Sequence, residues 1–198
     1  MKNAGNNNAA FSHGANCGSK LRYVKGALSK VLALAVIFLL SEHKVCSQDE
    51  ISYTVHANII YHFTKYIDWP ADKKSGDFII GVTGNSPLYD ELKKNLTDKM
   101  VGDQKIVIKK FSASAGSFNC HILFISDEES SNIKRIASIT AGIPMLLVSE
   151  SEGLAQRGSC INFVIVSDHL KLEINKTNIE QRRLDIASEL LQLGKIVK

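Results

Sequence analysis

The sequence predicts an α/β fold: a mixed, mostly parallel sheet flanked by helices, with a closing β-hairpin and a C-terminal helix. Three observations carry this. Amphipathic helical stretches alternate with short apolar runs from about residue 50 onward. Two of those runs, Cys120–Ile125 and Pro144–Val148, have the pattern of strands covered on both faces. Cys160–Val166 and Leu170–Ile174 flank Ser167, Asp168 and His169, the pattern of two strands joined by a tight turn.

The chain has 198 residues, of which 44% are hydrophobic and 22% charged, with three prolines, a balance that excludes a disordered chain. Its formal charge of +4 is unevenly placed. Residues 1–47 hold Lys2, Lys20, Arg22, Lys25, Lys30 and Lys44 against Glu42 alone, leaving the remainder close to neutral. A nucleic-acid binder needs clustered positive charge on its folded surface, so no nucleic-acid partner is expected.

The first nineteen residues are rich in Asn, Gly, Ala and Ser without apolar periodicity. The basic stretch Lys20–Lys25 follows, then the apolar run Val31–Leu40, then Val45-Cys46-Ser47 with small or β-branched residues around a cut before Gln48. A basic segment, a short apolar core and a small-residue site make a secretory signal peptide over residues 1–47. Ten apolar residues fall well short of the roughly twenty needed to cross a bilayer. The expectation is export to the periplasm and a single domain over residues 48–198.

Within that domain, Ile51, Val55, Ile59, Phe63 and Ile67 recur every four positions and predict a helix over Ile51–Trp69, stopped by the step into Pro70. Phe78–Val82 reads as a buried strand. Ser86 caps the next helix, with Pro87 at its first position, Asp90 and Glu91 in its early turns and Leu88, Leu92 and Leu96 on its inner face. Gln104–Phe111 alternates as a half-buried strand. Ser126-Asp-Glu-Glu129 opens a helix with acidic residues at its positive end, and Ile133, Ile136 and Ile139 are its apolar positions. The terminal helix carries Leu184, Leu190, Leu191, Leu193 and Ile196.

Several stretches, taken together and in order, resemble the YfiR family of periplasmic proteins. They are Ile60-Tyr-His-Phe-Thr-Lys65-Tyr-Ile-Asp-Trp69-Pro70, Ile79–Val82 leading to Ser86-Pro-Leu88, and Asn119-Cys-His121-Ile-Leu-Phe-Ile-Ser126. Ile161-Asn-Phe163 and Leu172-Glu-Ile-Asn175 follow, the latter continuing into Ile186–Leu193. The resemblance implies a regulatory binding protein that restrains, or senses for, a membrane signalling protein such as a diguanylate cyclase. The implied partners are the periplasmic segment of that inner-membrane protein and an outer-membrane lipoprotein that relieves the restraint. A homodimer is an allowed state.

Catalysis is not expected, because the sequence has no Gly-x-Ser-x-Gly, His-Glu-x-x-His, Cys-x-x-Cys or phosphate-binding loop with its lysine. His56 and His62 are six apart on one helix and cannot share a metal, so no metal site and no cofactor are expected. Cys120 and His121 are adjacent on a strand and point to opposite faces, which rules out a nucleophile–base contact. Cys120 and Cys160, an even pair in an oxidising compartment, form either a disulfide or two buried thiols at strand starts.

Two surfaces are candidates for binding. On the first helix Tyr61, Lys65 and Trp69 cannot all share the core face, and exposed aromatic residues dominate protein interfaces; the alternative for Trp69 is that it closes the edge of the core. Thr83, Asn85, Ser126 and Ser149 fall at the carboxyl ends of the expected parallel strands, where open α/β sheets bind ligands. A small polar ligand at that edge is the second functional reading.

Overall fold

The computed structural model describes residues 52–198; the expected signal peptide lies outside them. Helix α1 (Tyr53–Tyr66) buries His56, Ala57, Ile60 and Phe63. A strict four-residue spacing drifts about 40° per step around a 3.6-residue helix, so the stripe read from sequence cannot stay on one face. Val55 is accordingly exposed, and Ile60 takes the inward place expected of Ile59. The helix also stops at Tyr66, three residues earlier than expected, because Ile67–Asp68 (β1) extends to pair antiparallel with Asp185–Ile186 (β9).

The other eight strands form one sheet. They are β2 (Phe78–Thr83), β3 (Met100–Val101), β4 (Gln104–Phe111), β5 (Ile122–Ile125), β6 (Leu146–Ser149), β7 (Ile161–Val166), β8 (His169–Ile174) and β10 (Lys195–Ile196), in the spatial order β10-β8-β7-β6-β5-β2-β4-β3. The pairings from β4 through β2, β5 and β6 to β7 are parallel. The β7–β8 and β3–β4 pairings are antiparallel, so the sheet is mixed and mostly parallel. β5 and β6 are buried along their whole length, as their unbroken apolar runs require.

Helix α2 (Leu88–Leu96) connects β2 to β4 and turns Leu88, Leu92 and Leu96 inward. The Leu88 N–H donates to Ser86 Oγ at 3.3 Å, the capping contact expected there. Helix α3 (Ile133–Ile139) connects β5 to β6 and is preceded by a 3₁₀ segment, Asp127–Asn132. Ile133 and Ile136 are buried, whereas Ile139, in the last turn, is exposed. From β2 the chain steps to β4 on one side, then returns to place β5 on the other. Right-handed crossovers therefore put α2 and α3 on opposite faces, with the switch point between β2 and β5.

Ser167 and Asp168 both take positive φ, 50° and 61°, which closes the β7–β8 hairpin with a two-residue turn of the type that matches strand twist. The C-terminal part is not one helix. It breaks into α4 (Lys176–Glu180), the β9 pairing and α5 (Ser188–Gln192), followed by β10. Arg183 sits at φ 57°, a conformation no helix continues through, and the demand of β1 for a partner strand overrides the leucine spacing.

Cys120 and Cys160 are both free and buried. Cys120 precedes β5 and Cys160 precedes β7, with β6 lying between those strands. Two strand spacings amount to about 9.6 Å, beyond the reach of a disulfide. Cys120 Sγ instead lies 3.4 Å from Met145 Sδ.

Candidate functional site

The two edges of the sheet and the outer side of α1 hold the residues singled out by sequence. At the carboxyl edge Thr83 ends β2 and Ser149 ends β6, with Asn85 and Ser126 in the turns that follow β2 and β5. Only Asn85 is exposed. Thr83 is wholly buried and its hydroxyl donates to the Phe124 carbonyl at 3.3 Å; Ser149, also wholly buried, donates to Asn162 Oδ1 at 2.7 Å. Both hydroxyls serve the fold, because a polar group this deep must be paired internally. Ser126 is buried with its hydroxyl unpartnered among the described residues, packed against Gly84, whose φ of 75° and lack of a Cβ admit the contact.

Two backbone amides of this edge are held by carboxylates of the chain itself. Asn85 N–H donates to Glu128 Oε2 at 2.9 Å, and Asp127 N–H donates to Glu150 Oε1 at 3.1 Å. Burial holds the Glu150 carboxyl above its usual range, partly offset by that amide bond. Tyr53 reaches the same carboxylate, and burial with the nearby charge raises its hydroxyl in turn. The chain thus fills its own switch point with carboxylates, which repel the anions such turns ordinarily bind.

The α1 residues part company. Tyr61 is half-buried, and Lys65, exposed one turn on, lies with its ammonium 5.2 Å from the centre of the Tyr61 ring. Lys99 approaches the same ring at 6.0 Å. Trp69 does not join them: it is 4% exposed, past the helix end, with its ring edge-on to Phe78 at 5.0 Å. Trp69 therefore closes the core's edge rather than presenting an interface. Its exclusion from the surface follows from the early end of α1.

Trp69 lies instead with His121 at the amino edge of the sheet. His121 stacks on Phe78 and stands edge-on to Trp69 at 6.3 Å. Its Nδ1 accepts the Ile79 N–H at 3.0 Å, so in the neutral ring Nε2 carries the proton and donates to the Lys73 carbonyl at 2.9 Å. Gln104 Nε2 donates to the same carbonyl at 3.0 Å and to that of Ser75 at 3.3 Å. The loop after Trp69-Pro70 is thereby tied to β2, β4 and the approach to β5. Sequence reasoning missed His121 as an organiser, although its place in an otherwise apolar run was the available signal.

Among the described residues no three His, Cys, Asp or Glu side chains converge to hold a metal, and no helix is long and apolar enough to cross a membrane. An apolar groove of about 420 Å³ lies between α1, β8 and α5. The sequence did not single it out, because its walls come from three segments far apart in the chain.

The sequence model of the YfiR/HmsC-like family matches residues 53–195. No curated protein matches the chain.

Proposed function

Because the chain belongs to the YfiR/HmsC-like family, we propose that it is a periplasmic regulatory binding protein that restrains, or senses for, a membrane signalling protein such as a diguanylate cyclase. The family is known as a periplasmic regulator in cyclic-di-GMP signalling. The observation that carries the reading is the family match over residues 53–195, which takes in every described helix and every described strand except the second residue of β10. The most specific stretches, around Trp69 and His121, meet in a buried cluster whose bonds hold a loop, a structural task. Binding then falls to the surface, where Tyr61 and Lys65 offer an aromatic ring under a cation on the outer side of α1. The expected partners are the periplasmic segment of the inner-membrane protein and, for relief of the restraint, an outer-membrane lipoprotein.

Deleting the gene and measuring cellular cyclic-di-GMP tests this. A rise on deletion, reversed by the full chain, supports the proposal; an unchanged level defeats it. A photocrosslinker at Lys65 that captures a cyclase or receptor of the inner membrane identifies the partner. The ligand-sensing reading from Thr83, Asn85, Ser126 and Ser149 is not carried further, since the Thr83 and Ser149 hydroxyls bond inside the fold and carboxylates hold two amides of that edge.

A further inference from the structure

The groove between α1, β8 and α5 lies beside an open strand edge. Ile59, Phe63, Leu170, Leu172, Leu190 and Leu193 line it. Leu193, in its wall, is 66% exposed, and Ile165, paired with Leu170 across the hairpin, is 51% exposed, so the apolar surface continues from the groove onto β7. On its outer side β8 is covered by β10 only at Glu173 and Ile174. Among the described residues nothing pairs with the outer edge of His169–Leu172.

The register fixes which groups that edge presents. Asn175 N–H donates to Cys160 O, and the β7–β8 pairing advances in steps of one from there to Val166 opposite His169. Antiparallel pairs alternate, so His169, Lys171 and Glu173 bond inward to β7, while Leu170, Leu172 and Ile174 direct their backbone groups outward. The Val197 N–H donating to Ile174 O agrees. Leu170 thus offers a free N–H and C=O, and Leu172 a free N–H, directly beside the groove that their own side chains line. Lys171 borders the groove too, but strand alternation turns its side chain to the other face; it is exposed and has no carboxylate partner among the described residues, whereas Glu173 sits opposite Lys195.

We propose that the β8 edge and its groove receive an extended segment of a partner protein in which apolar side chains alternate with acidic ones. The main chain adds a strand at Leu170–Leu172, the apolar side chains enter the groove, and a carboxylate on the other face meets Lys171. A second copy of this chain is the poorer occupant. A two-fold antiparallel pairing that joins Leu170 to Leu172 of the other copy sets Lys171 directly opposite its own counterpart, a like-charge contact that opposes association. The inference rests on the reading of the chain as a regulatory binding protein and names the chemistry of what it binds.

The test uses the full chain and a fluorescein-labelled decapeptide of alternating leucine and glutamate, against a control with the same residues in two blocks. Anisotropy is expected to show binding of the alternating peptide only. Leu170→Pro removes an outward N–H that the hairpin does not use, and should weaken binding roughly fivefold to tenfold. Lys171→Glu, a surface change that leaves the fold intact, should weaken it by a similar factor, about fivefold or more. Equal binding of the two peptides, or an unchanged affinity in Lys171→Glu, overturns the proposal. So does binding of anionic phospholipid vesicles in place of the peptide, concentration-dependent dimerisation abolished by Leu170→Pro, or peptide binding only after residues 1–51 are removed. Cyclic-di-GMP that still responds to deletion while the peptide fails refutes this inference alone; peptide binding without a cyclic-di-GMP response refutes only the functional reading.

Discussion

The imidazole of His121 lies 4.4 Å from the ring centre of Phe78, the planes 19° from parallel, and both of its nitrogens are engaged by backbone groups of other segments. One ring thus joins β2, the loop after Pro70 and the approach to β5. His121→Ala strands the Ile79 N–H, leaves the Lys73 carbonyl to Gln104 alone and opens space beside Phe78 and Trp69. The expected loss is about 2–4 kcal/mol, read from urea unfolding. Burial lowers the His121 pKa, because desolvation disfavours the charged imidazolium.

His56 gives the clearer pH dependence. It is buried between Tyr53 and Phe163, with Nδ1 unpartnered among the described residues, and desolvation brings its pKa from 6.5 to about 4. The native state thus holds it neutral where the unfolded chain has taken up a proton. Stability is full above pH 6.5 and falls as the pH drops from there to about 4, a loss of about 3 kcal/mol from this group. His56→Phe keeps an aromatic ring on Phe163 and abolishes the titration. Unfolding midpoints measured from pH 7 to pH 4 should decline less steeply in that variant.

How far the sequence disclosed this arrangement varies with the kind of signal. Continuous apolar runs located β5 and β6, and Ser167-Asp168 located the hairpin turn, because those signals are local and nothing distant competes with them. The end of α1 was misplaced by three residues, since pairing of Ile67–Asp68 with Asp185–Ile186 joins positions over a hundred residues apart. The same pairing broke up the expected terminal helix. Thr83 and Ser149 were correctly placed at the carboxyl edge, yet spacing along a strand cannot reveal that each hydroxyl is consumed by an interior acceptor.

Trp69 is the only tryptophan in the chain, and its burial against Phe78 makes it a core residue. Trp69→Ala should cost about 3–5 kcal/mol by circular dichroism in urea. Trp69→Phe retains most of the packing and removes an indole N–H that has no partner among the described residues, so its cost should be about 1–2 kcal/mol. A Trp69→Ala protein as stable as the parent would return the residue to the candidate interface.

Both cysteines are predicted to be inert in the native state. Burial pushes the Cys120 thiol up to about 12 and raises that of Cys160, the latter partly countered by Arg182. The thiolate is the reactive form, so a thiol reagent should label neither residue in folded protein at pH 8. In denaturant Cys120 and Cys160 should both be labelled without prior reduction, counted by mass spectrometry. Protection that persists until a reductant is added would show a disulfide between them.

Arg182 is a buried guanidinium, 4% exposed, with no carboxylate paired to it among the described residues, and what it meets is the end of α3. Nη1 donates to the Thr140 carbonyl at 2.7 Å and to its hydroxyl at 3.1 Å, and Nη2 donates to the Ala137 carbonyl at 3.3 Å. The last carbonyls of a helix lack intrahelical partners and carry its negative end, so a cation there is both a donor and a counter-charge. Arg182→Ala is expected to cost about 2–3 kcal/mol by removing those bonds and the packing of the stem. Arg182→Lys separates the two contributions: it keeps the charge, but one ammonium cannot reproduce a fork that spans residues on successive turns. It should recover no more than about half of the loss. Full recovery in urea unfolding would mean that charge alone holds α3 in place, and no recovery would mean that the fork geometry does.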